Sequence, residues 1–321
     1  MEALFERVFV ETTVDTDQDG QYDLIAVYIK RPKLNEKVPA VFVANPYMLH
    51  CNEDWYDLYD VNTDIQAYPS QNIQREDITF HPKDPVVCPK KEAKQIVESN
   101  PYPEPDPSAY ECISDLYDHL LERGYAGVFS GGLGTRGSDG LTMTGSEEEI
   151  LAFKSVIDWL NGRARAFTDK TRTVQVVASW CTGSVAMSAR SYLGTMCIGV
   201  ATTGVEGLKT ILPEAGISNW YEYYRHNGLT LPAMDWQGDD LDILAKYCFS
   251  RALDPEDFAR IKPLFEKNQK TLQEGEDRQS GNYNRFWDER NYLKHANRIQ
   301  ASVFILQGLN DWNVKPDQGI R

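Results

Sequence analysis

Ala40-Val41-Phe42-Val43-Ala44 is an unbroken apolar run lying between Pro39 and Pro46. A short run with no polar alternation is the mark of a strand buried on both faces. The pattern returns at Tyr125–Ser130 and Val303–Gln307, and Leu208–Leu212 is a further candidate. Helical patterns separate these runs. Ile113–Arg123 has helical spacing and stops at Gly124. Glu147–Leu160 is amphipathic, with acidic residues in the first turn, where the helix dipole favours them. Strands alternating with helices specify a mainly parallel α/β sheet. A chain of 321 residues can bury a large core around it.

The two ends of this pattern differ from its centre. Val8–Val14 and Leu24–Lys30 read as strands joined across Asp15-Thr16-Asp17-Gln18-Asp19-Gly20. That spacing copies the first half of a calcium-binding EF loop, in which alternate carboxylates face one cation. The twelfth position would be Ala26, which has no carboxylate, and the flanks alternate like strands. An Asp-Gly hairpin turn is the preferred reading. Residues 50–110, rich in Tyr, Pro, Asp and Asn, read as a long irregular excursion. From about 215 to 296 the strand signature gives way to helical patterns such as Leu241–Leu253 and Asp257–Lys267. The expected organisation is a core over 1–213, a helical insertion over 214–296, and a return to the core over 297–321.

Charge and composition exclude several classes of partner. A net charge of −15 argues against nucleic acid or an anionic membrane surface, since both need a basic face. No apolar run approaches the roughly 18 residues that span a bilayer. The first residues, Met1-Glu2-Ala3-Leu4-Phe5-Glu6-Arg7, lack the basic start and apolar stretch of a signal peptide. Six scattered cysteines with no CxxC pair fit reduced thiols in a cytoplasmic protein. Cys181 and Cys197 read as small packing residues.

The chemistry concentrates near Ser191. Either Val174–Ala178 or, preferably, Ser184–Ala189 supplies a strand before it, and Tyr192–Thr203 a small-residue helix after it. A serine on a sharp strand-to-helix turn exposes its hydroxyl, and the helix N-terminus offers N–H groups to an oxyanion. The strict G-x-S-x-G pattern is not met, because Ala189 lies two before Ser191 and the next glycine is Gly194. A serine opening a helix is, taken alone, more often a cap. Asp311, in Gly308-Leu309-Asn310-Asp311-Trp312, follows an apolar run where the acid of a Ser, Asp, His chain order would fall. Gly131–Gly137 has neither a P-loop nor a dinucleotide order of glycines and reads as a loop at a strand's carboxyl end.

Longer stretches add a resemblance. Ser191-Tyr192-Leu193-Gly194-Thr195-Met196 leads into Gly199–Leu208, followed by Glu214–Tyr221 and Tyr223-Tyr224-Arg225. With Asp158–Arg163, Asp15–Gly20 and Gly308–Pro316, this closely resembles the Xaa-Pro dipeptidyl aminopeptidases of lactic-acid bacteria, over nearly the whole chain. These belong to the serine peptidase group that also contains cocaine esterase-like acylases. The resemblance implies an α/β-hydrolase fold with an inserted helical cap. It also implies release of Xaa-Pro dipeptides through an acyl-enzyme, with no metal or organic cofactor. Ser191 matches the nucleophile, Asp311 the acid that orients a histidine, Tyr47 an oxyanion-binding hydroxyl, and the Tyr192 N–H the second donor. Tyr192, Trp220 and Tyr223 would line the proline pocket, and Asp239 and Asn313 would hold the substrate ammonium. The implied partners are peptides with proline second, and the full-length form would be a homodimer.

Two departures bear on these expectations. Family members carry glycine where this chain has Ala189. None of the five histidines (50, 81, 119, 226, 295) follows Asp311, and from the resemblance the family's N-terminal helical domain and C-terminal β-sandwich are expected to lie outside these residues. The expectation is a catalytic core truncated at both ends, and inactive alone. A related ester or amide acylase, or a non-catalytic remnant that binds peptides, stays open beside it.

Overall fold

The computed structural model describes residues 2–47, 51–52, 58–62, 69, 71–103, 116–226, 229–230 and 238–321. His50 and Cys112 fall outside them. The strands are β1 (Ala3–Glu11), β2 (Leu24–Pro32), β3 (Val38–Ala44), β4 (Gln95–Val97), β5 (Ala126–Ser130) and β6 (Ala166–Phe167). They continue as β7 (Val174–Val176), β8 (Cys181–Arg190), β9 (Leu208–Glu214), β10 (Arg225–His226), β11 (Leu229–Thr230) and β12 (Ser302–Val303). Ten of them form one sheet in the order β12-β9-β8-β3-β5-β2-β1-β6-β7-β4. The run from β12 through β9, β8 and β3 to β5 is parallel, and β2 pairs antiparallel with both β5 and β1. A parallel centre with an antiparallel second strand, and a strand-to-helix turn at β8, is the α/β-hydrolase fold.

The central strands are buried because both faces are covered. Phe42, Val43, Val128 and Met187 expose almost nothing. Helix α3 (Glu147–Leu160) crosses from β5 toward β6 and lays Phe153, Val156, Ile157, Trp159 and Leu160 on the sheet. The Phe42 and Phe153 rings lie 6.2 Å apart. Each such large side chain contributes about 1.5–3 kcal/mol by leaving water. Helix α4 (Tyr192–Ala201) then connects β8 to β9 and is apolar nearly all round, as a helix buried on every side must be.

Among the shorter helices, α1 (Arg75–Ile78) and α2 (Leu116–Leu121) precede β5, and α5 (Trp220–Tyr224) follows β9. The helical block then continues with α6 (Leu241–Cys248), α7 (Pro255–Glu276) and α8 (Arg285–Glu289), and α9 (Asp317–Ile320) closes the chain. Two expected boundaries move. The helix expected over 241–253 ends at Cys248, where Phe249 leaves helical geometry (ψ 72), and a 3-10 turn, Ser250–Leu253, follows. The helix expected over 257–267 runs from Pro255 to Glu276, started by Asp254, whose side chain accepts from the N–H groups of Glu256 and Asp257. Its second half is polar on most faces and is anchored through Leu272 and Glu276. Phe249 and Phe265 stack at 4.4 Å, and with Leu141 and Ile261 make a small core of their own.

At the other end, β1 and β2 form the expected hairpin with register Glu11↔Leu24. The connection is longer than a tight turn. It keeps pairing beyond the strands, with the Thr12 N–H donating to the Asp23 carbonyl and the Asp23 N–H to Val14.

Candidate active site

Ser191 sits between β8 and α4 with φ 59° and ψ −129°. An L residue other than glycine rarely holds a positive φ outside the left-handed helical well, and such strain persists only where the surroundings fix it. Here the Ser191 N–H donates to the Glu214 carbonyl at the end of β9 (2.8 Å). Its own carbonyl accepts from the Thr195 N–H and hydroxyl at 2.9 and 3.0 Å. The Ser191 hydroxyl makes no capping bond, so the cap reading fails and the side chain is left available.

The small residue this turn needs is Gly194. A Cβ there would stand 2.8 Å from the Ala189 carbonyl oxygen and 2.9 Å from that of Glu214, both backbone atoms that cannot yield. Ala189, by contrast, has no positive φ, so its methyl is accommodated. The sequence departure two before Ser191 is thus harmless to the turn.

Other expected site residues gather at the carboxyl ends of neighbouring strands, where ligands bind in open α/β sheets. Tyr47 lies just past β3, the strand beside β8, with its N–H donating to the Asn45 side chain. Its ring meets that of Tyr192 edge-on at 5.8 Å. Burial holds the Tyr47 hydroxyl well above its ordinary pKa, so it keeps its proton and can donate. The Tyr192 N–H opens α4, where the first N–H groups lack partners within the helix. Asp311 lies past the β12 edge, whose chain stays in register with β9: the Leu306 N–H donates to Pro213 and the Ala215 N–H to Leu306. One carboxylate oxygen of Asp311 accepts from the N–H groups of Asn313 and Val314 at 3.1 and 3.0 Å, which fixes the loop.

The aromatic residues form one cluster. Trp220 meets Tyr192 at 5.2 Å, Tyr223 at 6.0 Å and stacks on Tyr224 at 6.2 Å. Trp220 has no exposed surface and donates its indole N–H to the Tyr292 hydroxyl, so it backs the other rings. Tyr223 is half-buried and donates to the Asn313 side-chain oxygen at 2.9 Å, which joins two of the expected binding residues. Asp239 is buried near Tyr224, whose hydroxyl reaches it at 3.4 Å. Burial, reinforced by Asp240, pushes the Asp239 carboxyl up to about 7. Cys181 and Cys197 hold their thiols protonated through burial, that of Cys197 pushed up to about 12, which suits packing residues.

No histidine completes this group among the described residues. His81 and His119 are exposed, His295 lies in a 3-10 turn far along the helical block, and none is hydrogen-bonded to Ser191 or Asp311. Only the backbone of His226 is described, in β10.

Residues 19–321 match the X-Pro dipeptidyl-peptidase (S15) family. The chain belongs to that family. It is 44% identical over 316 residues to an Xaa-Pro dipeptidyl-peptidase of Lactobacillus helveticus, covering 97% of this chain and 38% of that protein. It is 42% identical over 324 residues to that of Lacticaseibacillus casei, covering 100% of this chain and 40% of that one. This S15 chain therefore spans about two fifths of the length of the curated relatives it matches. Among solved structures, a CocE/NonD family hydrolase of Staphylococcus aureus aligns with 94% of this chain and 43% of its own, at 16% identity and a TM-score of 0.46.

One site residue of this S15 chain escaped the sequence reading. Glu149 has the sequence pattern of a dipole-favoured surface acid in the first turn of α3, yet it is buried and accepts the Tyr192 hydroxyl (2.7 Å) and the Gly145 N–H (2.6 Å). Burial raises its carboxyl above the ordinary value. A signal was present: Ser146-x-x-Glu149 is a capping-box pattern, and the Ser146 side chain does cap the Glu149 N–H.

Proposed function

We propose that this chain carries the nucleophile, acid and oxyanion donors of a serine peptidase that releases Xaa-Pro dipeptides from peptide N-termini. The strained backbone of Ser191 at a strand-to-helix turn is the observation that carries the reading. Ser191 Oγ attacks the carbonyl carbon of the substrate proline, and its proton passes to a histidine that Asp311 orients. The oxyanion forms against the Tyr192 N–H and the protonated Tyr47 hydroxyl. Collapse breaks the scissile C–N bond, the amine leaves with the histidine's proton, and water hydrolyses the ester on Ser191.

Tyr223, backed by the buried rings of Tyr192 and Trp220, suits a flat apolar proline ring. Asp239 and Asn313 border the same cluster and are assigned to the substrate ammonium, which would limit removal to two residues. We divide the chain into the hydrolase core (1–213 and 297–321) and a helical cap (214–296).

In the full-length protein, Ser191→Ala should lower kcat on an Ala-Pro anilide by roughly a thousandfold or more. The 321-residue chain alone should show only residual turnover. A native rate from that chain, or full activity of the alanine variant, would overturn the reading. Faster hydrolysis of simple esters than of Xaa-Pro anilides would instead favour an acylase.

A further inference from the structure

We propose that the loop between β1 and β2 is a cation site, selective for calcium, formed by Asp15, Asp17 and Asp19 with Asp23 beside them. One carboxylate oxygen from each of the first three lies within 4.8 Å of the others. Convergent carboxylates alone mean little on an acidic surface, and Asp15 is only half-buried and Asp19 exposed. Asp17 is different. It is 5% exposed, and its Oδ1 is buried without any hydrogen-bond partner among the described residues, while Oδ2 accepts from Arg251 Nη1 (3.1 Å) and the Gly140 N–H (3.3 Å).

Asp23 repeats the situation at 1% exposed. Its Oδ2 accepts the Thr16 N–H and hydroxyl at 2.8 and 2.7 Å, and its Oδ1 is again buried and unpartnered. An acceptor-only oxygen taken from water and given no donor is costly, and two close together are more so. A cation held by Asp15, Asp17 and Asp19 satisfies the orphan oxygen of Asp17 without needing a proton.

Charge points the same way. Arg251 is the cation bonded to Asp17, but it is shared with Asp257, whose two oxygens it holds at 2.7 and 2.9 Å. Four carboxylates thus crowd one loop.

The donor set is all hard oxygen, which suits calcium or magnesium. Calcium tolerates flexible coordination by six to eight oxygens, whereas magnesium demands near-ideal octahedral geometry that a surface loop rarely imposes. Ala26 stands where a bidentate carboxylate would close an EF loop. Binding should therefore be weak, with Kd on the order of 0.1–1 mM. The hairpin reading survives, since the loop can hold a cation while β1 and β2 keep their ladder. The loop is also bonded to the segment after β5, the Leu141 N–H donating to Thr16 Oγ1, and to the helical block through Arg251. A bound cation would brace all three against one another, away from Ser191.

The test is calcium titration of the chelator-treated 321-residue chain by calorimetry, with thermal unfolding in parallel. One calcium per chain and a rise in unfolding midpoint at about 5 mM CaCl2, larger than with MgCl2, are expected. Asp19→Asn changes an exposed side chain and should fold normally by circular dichroism while weakening binding at least roughly tenfold; Asp17→Asn should do likewise. No calcium bound by the parent at that concentration, equal binding by the parent and Asp19→Asn, or an equal rise with magnesium would each overturn the proposal.

Discussion

Asp239 carries a charge whose position is awkward. Burial, then Asp240, pushes its carboxyl up to about 7, while the unfolded chain loses that proton near the ordinary value of 3.8. Between those two values the folded state binds the proton and the unfolded state does not. Stability from this group is therefore full below about 4, falls as pH rises toward 7, and is flat beyond. The loss is on the order of 4 kcal/mol at most. Asp239→Asn, which cannot ionise, should remove it. In urea unfolding, the gain of the variant over the parent should be larger at pH 8 than at pH 5. A gain equal at both pH values would mean that Asp239 is already ionised at pH 5.

At the scale of elements, a buried ion pair ties the start of α6 to the end of α5. Arg225 and Asp240 are both fully buried, with Nη1 and Nη2 bonded to the two carboxylate oxygens at 3.0 and 2.6 Å. Arg278 also reaches Asp240, and the Arg225 guanidinium lies over the Trp287 ring at 5.1 Å. Arg225→Met would strand much of the Asp240 charge and should cost about 3 kcal/mol in urea unfolding. Adding Asp240→Leu to Arg225→Met should recover part of that loss, because the stranded Asp240 carboxylate is then gone, while the partly exposed Arg278 keeps Glu276 within reach. A double variant no more stable than the single one would show that packing, rather than the uncompensated charge, sets the cost.

The same scale shows which parts of the fold were legible in the sequence. β3 and β5 were, because strands buried on both faces leave continuous apolar runs, whereas β9 was a fainter candidate because Lys209 and Thr210 interrupt its apolar residues. β8 was harder: Thr182, Gly183 and Ser184 dilute its first half, and two candidate segments competed. The far edge, β6, β7 and β4, consists of pieces two or three residues long, too short for any period to show. In the site, the strand-to-helix turn at Ser191 was legible from the patterns on either side of it, while the roles assigned to Ser191 and Asp311 rested on the resemblance. Glu149 was not legible, since a buried acid and a dipole-favoured surface acid look alike in the first turn of a helix. Asp239 and Asn313 rested on resemblance alone, and only the packing shows them beside Tyr224 and Tyr223.

For the molecule as a whole, the decisive surface is the β12 edge. β12 pairs with β9 on one side only, and Val303, Phe304, Ile305 and Leu306 are all substantially exposed. Nearby Leu309 is 79% exposed and Trp312 59%. An apolar strand with an open edge is a template for pairing with another chain. The 321-residue chain should therefore self-associate as its concentration rises, visible as increasing mass in light scattering, and should bind a hydrophobic dye. Phe304→Lys with Leu309→Lys should shift it toward monomer. Unchanged association in that variant would place the sticky surface elsewhere.

The contact between Glu149 and Tyr192 has a consequence for how the proposed activity could be tuned. The residue whose N–H would meet the oxyanion has its ring clamped by a carboxylate 43 positions away in sequence, on α3. Lengthening or neutralising that clamp would leave every reacting group chemically intact while loosening the frame that aims one of them. Variation at position 149 is thus a route to graded catalytic power, a dial set from behind the active site.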